Sequence, residues 1–204
     1  MNIDTLIFDM YGVIIKESKG NFIPYTLEHF DKSWHERLIR QLKDEQLFTK
    51  AGNGEFTSNE FLSRLGFSNP EYHMHNYIEH YLTLDDSFIE FAEKYFDKYN
   101  FILLSNDVVE WSAYITKYYK LNKYFQYKIV SGDVGCRKPG KEIFQTTLSK
   151  INKNAGQCLF VDNSSANLKT ASSLGFVSVL FNRDKEDYNG KIVNSFWELE
   201  NFMH

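Results

Sequence analysis

The sequence predicts an α/β protein: a doubly wound parallel sheet with an inserted helical cap. Short apolar runs recur along the chain, helical periods separate the later ones, and residues 16–85 carry helical patterns only. Continuous apolar runs belong to strands covered on both faces, and strand–helix alternation builds right-handed βαβ units.

Thr5-Leu6-Ile7-Phe8 is the first such run. Within residues 16–85, Leu27, Phe30, Trp34, Leu38 and Leu42 fall on one helical stripe. Thr57 and Glu60 make a capping box ahead of Phe61-Leu62, with Gly66 as the stop. Pro70 then opens a helix that runs through Tyr81. That is too much helix for one crossover. Residues 16–85 are therefore read as a cap, and residues 1–15 and 86–204 as the α/β core.

In the core, Ser87–Asn100 repeats apolar residues at Phe88, Phe91, Ala92, Tyr95 and Phe96, the period of a helix. The strand Phe101–Leu104, a helix from Val108 to Tyr119 and the strand Tyr127–Val130 follow. Next come a helix over Lys141–Ile151, the strand Cys158–Val161, and a helix over Asn163–Leu174 that Gly175 stops. The run Phe176–Leu180 is the fifth strand, and a tail helix near Ser195–Phe202 packs back on the core.

Composition narrows the function. Lys+Arg 23 against Asp+Glu 27 gives a net charge of -4, with nothing to draw nucleic acid or anionic lipid. The 18 Phe, 13 Tyr and 3 Trp are packing material for a core or an interface. Cys136 and Cys158 form no C-x-x-C and suit a reducing compartment. With no basic leader and no apolar run near the ~20 residues of a membrane span, a cytoplasmic protein is expected.

Chemistry in such sheets gathers at the carboxyl ends of strands. Here those ends carry Asp9, then Ser105-Asn106-Asp107, then Asp162-Asn163, and Arg137-Lys138-Pro139 follows the third strand. The set offers a carboxylate nucleophile, a hydroxyl donor, a cation and a second carboxylate.

Phe8-Asp9-Met10-Tyr11-Gly12-Val13-Ile14 resembles the first motif of the haloacid dehalogenase-like hydrolases. Leu104-Ser105-Asn106, Arg137-Lys138-Pro139, and Phe160-Val161-Asp162-Asn163 with Asn167 are similar to the other three, in order. The cap falls where capped members insert theirs. Gly54-Glu55-Phe56-Thr57 with Glu60-Phe61 resembles a cap segment of the subgroup containing small sugar-phosphate phosphatases.

The resemblance implies a Mg²⁺-dependent phosphatase acting on a small metabolite phosphate. Asp9 would be the nucleophile, forming an aspartyl-phosphate. Asp9, Asp162 and the carbonyl of Tyr11 would hold Mg²⁺. Ser105 and Asn106 would bind the phosphoryl group, and Lys138 would offset the charge that it shares with Asp9. Tyr11 departs from the pattern, because hydrolytic phosphatases of the superfamily usually carry a second Asp there. A phenol with a pKa of about 10 donates a proton but is a poor base near neutrality. Slow turnover follows, with a preference for acidic leaving groups such as acyl phosphates or sugar 1-phosphates.

Two alternatives stand beside that reading. The 2-haloacid dehalogenases also carry Asp-x-Tyr-Gly and use an arginine from the cap, for which Arg37 and Arg40 are available. They need no metal and place Ser where this chain has Asp162, and they differ at Val13 and Phe144. A non-catalytic relative that binds a phosphorylated ligand or a protein is the other. His73, His75 and His80 are read as polar faces of the cap, Cys136 as a bystander, Gly52-Asn53-Gly54 as a turn, and Asp107 as the N-cap of the helix after it.

Overall fold

A computed structural model describes residues 2–203; the terminal residues 1 and 204 of the expected core lie outside them. Among the described residues, six parallel strands form one sheet in the order β3-β2-β1-β4-β5-β6. They are β1 (Thr5–Phe8), β2 (Asn100–Ser105), β3 (Phe125–Val130), β4 (Cys158–Asp162), β5 (Val177–Phe181) and β6 (Lys191–Val193). Five answer the apolar runs. The sixth has three residues, two of them exposed, and no run announces it. β3 is also not covered on both faces as expected. It is an edge strand whose Gln126, Tyr127 and Lys128 are exposed.

The strand period of two divides the core. Leu6 and Phe8 point into one apolar cluster, and Ile7 into another with Ile102, Leu104 and Phe160. Phe8 packs among Phe88, Phe91, Phe101 and Phe196, with ring centroids 5.2–6.2 Å apart.

Between β1 and β2 come α1 (Phe22–Glu28), α2 (Lys32–Lys43), α3 (Leu47–Ala51), α4 (Ser58–Leu65), α5 (Pro70–Tyr81) and α6 (Asp86–Tyr95). The single stripe expected from Leu27 to Leu42 is broken in two. The His29 ring bonds back to the Tyr25 carbonyl, and Asp31 opens α2 with extended backbone. Leu38 and Leu42 are buried, while Trp34 is exposed. The capping box of Thr57 and Glu60 is formed, Gly66 ends α4 at φ 105°, and Pro70 opens α5. Among the described residues, the α-helices α7 (Val109–Tyr118), α8 (Ser131–Val134), α9 (Lys141–Ile151) and α10 (Ser165–Ser173) follow, with a 3₁₀ turn over Trp197–Phe202 in place of the tail helix.

The inserted helices leave and rejoin the core side by side. Ile15 and Leu84 form an antiparallel bridge, Lys16 N–H donates to Thr83 O, and Asp85 N–H donates to Ile14 O, both at 2.9 Å. Arg183 reinforces the joint with hydrogen bonds to the Gly12 and Val13 carbonyls and an ion pair to Asp85 at 2.6 Å. Trp111 of α7 supplies the opposite anchor. Its ring lies 5.0–6.0 Å from those of Phe22, Phe48, Phe61 and Tyr77, and its Nε1–H donates to Ser58 Oγ at 2.8 Å. Among the described residues, no helix is long and apolar enough to cross a membrane.

Candidate active site

β1 runs between β2 and β4, with Phe8 opposite Leu103 on one side and Val161 on the other. That register makes Asp9, Ser105 and Asp162 leave the sheet side by side, at the edge where α/β sites form. Lys138 arrives from the loop after α8, and Asn106 fixes it there. Asn106 Oδ1 accepts the Lys138 N–H at 2.9 Å, and Nδ2 donates to the Lys138 carbonyl at 2.8 Å.

The Lys138 ammonium is buried and spends all three hydrogens. It donates to Leu104 O at 2.8 Å, to Asp9 Oδ1 at 2.8 Å and to Asp162 Oδ2 at 2.7 Å. Burial alone would favour the neutral amine, but Asp162 and Asp9 hold its pKa above the usual lysine value. Asp162 also takes Ser164 N–H at 2.8 Å, and Asn167 Nδ2 on both oxygens at 3.0 and 3.1 Å. Asp9 takes Met10 N–H on Oδ1 at 2.7 Å. Its other oxygen receives no hydrogen bond among the described residues. Burial lifts the Asp9 carboxyl to about 7, against the pull of Lys138.

The turn after Asp9 needs its glycine. Gly12 has φ +78°, and a Cβ there would lie 2.2 Å from Asn163 Nδ2. Tyr11, half-buried in this turn, aims its hydroxyl at both oxygens of Asp107, at 3.4 Å. Burial, then the Asp107 charge, push the phenol well above its ordinary pKa. Asp107 is fully buried, and α7 takes Val108, not Asp107, as its N-cap. The Asp107 carboxylate instead accepts Val108 N–H and the Ser112 hydroxyl, at 2.8 and 2.7 Å. Burial raises it to about 7. Sequence reasoning missed this group beside Tyr11, because nothing local marks a contact between residues 96 apart.

A cavity of about 410 Å³ opens above these residues, with Asp9, Tyr11, Asn106, Lys138, Asn163 and Asn167 in its wall. Ser105 and Asp162 are fully buried and stay out of that wall. Ser105 Oγ has no hydrogen-bond partner among the described residues. Arg40 does not join the site; it is exposed and pairs with Glu45 at 3.3 Å. His73 and His75 are also elsewhere, bonded to the Tyr25 hydroxyl and stacked on Tyr114 respectively.

Whether the site suits a metal follows from its donors. Among the described residues, no three His, Cys, Asp or Glu side chains gather as a metal site. Yet Asp9 and Asp162 already converge on one cationic centre with oxygen donors only, which fits a hard cation completed by carbonyl and water oxygens.

Comparison with known proteins bears on the fold and the family. The HAD family enzyme bt-2542 of Bacteroides thetaiotaomicron superposes with a TM-score of 0.76 at 21% identity, over 88% of this chain and 94% of that one. The same enzyme, solved with magnesium and inorganic phosphate, gives 0.72 at 20%, over 92% and 98%. The HAD phosphatase of Thermococcus onnurineus gives 0.73 at 20% identity, over 98% of both chains. These likenesses concern the fold. Drimenol cyclase drtB of Aspergillus calidoustus is 38% identical over 66 residues, 32% of this chain and only 12% of that protein's length. Residues 3–175, most of the chain and all four motifs, match the haloacid dehalogenase-like hydrolase family, to which this protein therefore belongs.

Proposed function

We propose that this hydrolase is a Mg²⁺-dependent phosphatase of a small phosphorylated metabolite, with Asp9 as nucleophile. The observation that carries the reading is the buried Lys138 ammonium held between Asp9 and Asp162 at the foot of the cavity. In this reading the second oxygen of Asp9 attacks phosphorus, the ester oxygen leaves, and an aspartyl-phosphate forms. Lys138 neutralises the charge shared by the carboxylate and the phosphoryl group. The orphaned Ser105 hydroxyl, buried behind the cavity wall at the end of β2, would supply a donor to a phosphoryl oxygen on a shift of its side chain into the cavity. Asp9, Asp162 and the Tyr11 carbonyl would hold Mg²⁺, which supplies Lewis-acid polarisation of the phosphoryl oxygens. The Tyr11 phenol stays protonated and supplies no base, so release of phosphate from Asp9 limits turnover. Residues 16–85 act as the cap that closes over the site and excludes water.

Phosphate release from phenyl phosphate, with and without chelator and with Asp9→Asn as control, tests this. The expected result is a rapid burst of phenol, stoichiometric with enzyme, then slow turnover, both lost in the variant. Equal inertness of wild type and variant across aryl and acyl phosphates would sink the reading.

A further inference from the structure

The cavity above Asp9 has two chemically unlike surfaces. Its floor, from the strand ends, is polar; its roof, from the inserted helices, presents Phe22, Ile23, Leu42 and Phe48. The polar groups of the roof are mostly engaged. The Ser18 hydroxyl donates to Asp184 at 2.9 Å, and the Tyr77 hydroxyl donates to the Gly20 carbonyl. Lys19 is exposed and also lines a second, open cleft with Asp184 and Glu186, which puts it at the mouth. Thr49 retains the one roof hydroxyl without a partner among the described residues. The apolar surface is also held in place: Phe22 and Phe48 both pack on Trp111, with centroids 5.0 and 5.4 Å away.

A sugar placed there would trade water for phenyl and alkyl surface, and most of its hydroxyls would go unpaired. A hydrocarbon would lose nothing. Resting on the phosphatase reading above, we propose that the substrate is a phosphate monoester with an apolar alcohol portion whose oxygen leaves readily, an aryl phosphate. The phosphoryl group meets Asp9 and Lys138, and the hydrocarbon lies against Phe22, Ile23, Leu42 and Phe48.

Calorimetric titration of n-alkyl phosphonates, from methyl to hexyl, into the full chain with Mg²⁺ measures the ligand class apart from catalysis, since a phosphonate has no alcohol to lose. Affinity is expected to rise up to about fourfold per added methylene. The rise is expected to flatten in Ile23→Asn and in Phe48→Ser, two half-buried positions whose folding is checked by circular dichroism. Affinity independent of chain length, or no binding of any phosphonate, overturns the proposal. Chain-length dependence without turnover of phenyl phosphate keeps the ligand class and removes the phosphatase reading. Turnover with flat phosphonate affinities does the reverse.

Discussion

Lys138 is the residue on which the site's electrostatics turn. With its three hydrogens committed to Leu104 O, Asp9 and Asp162, it leaves two buried carboxylates without compensation if it is removed. Lys138→Met is expected to cost about 3–5 kcal/mol in metal-free urea unfolding, as breaking a buried pair does. Added Mg²⁺ is expected to recover part of that loss by binding the folded state alone, while phosphate release stays abolished. Asp107 gives a pH signature instead. Burial holds its carboxyl at about 7 in the fold, above the roughly 3.9 of an unfolded chain. The folded state therefore binds this proton more tightly. The stabilisation is complete below about pH 4 and is lost as the pH rises through about 7. Relative to Asp107→Asn, the wild type is expected to lose stability across that window, read as urea midpoints at successive pH values. Asp9 and Asp162 were legible in sequence because each directly follows an apolar run, and Lys138 because Arg137-Lys138-Pro139 resembles the family's third motif. The Tyr11–Asp107 contact was not legible, because it depends on how a turn after β1 faces the start of α7.

At the scale of elements, the loop after α3 docks on the short helix α8. The Ser131 hydroxyl donates to Gly52 O, and Arg137 donates to Thr49 O and Asn53 Oδ1 at 3.3 and 3.4 Å. Gly54, at φ +81°, comes so close that a Cβ would lie 2.3 Å from the Gly132 carbonyl oxygen. Gly54→Ala is expected to cost more than the roughly 1–2 kcal/mol of left-handed backbone alone. It is also expected to raise hydrogen exchange across residues 48–56 with little change in the strands. Sequence reasoning recognised the turn from its two glycines but not what it docks on. Capping residues announced α4 and α5 because their signals are local. The break between α1 and α2 escaped notice, since His29 ends α1 by a side-chain bond that leaves the apolar spacing intact.

For the whole molecule, alternation foretold the parallel sheet but not the order of its strands. Order depends on which helix crosses to which face, and no single run carries that information. The two bodies read from the sequence share one aromatic network through Trp111, which touches rings from four of the inserted helices, α1, α3, α4 and α5. Unfolding is expected as a single calorimetric transition. Trp111→Ala is expected to lower stability by about 3–5 kcal/mol, as loss of a buried aromatic does. Separate transitions for the sheet and the inserted helices would contradict that coupling.

The antiparallel bridge between Ile15 and Leu84 has a consequence for ancestry and engineering. Because the inserted segment leaves and rejoins the rest of the chain at adjacent points, the join is a splice site. A different helical module could be exchanged between those two residues while the strand ends keep their register. Appetite for one substrate or another would then be inherited separately from the chemistry at the strand ends, and each could drift without dragging the other along.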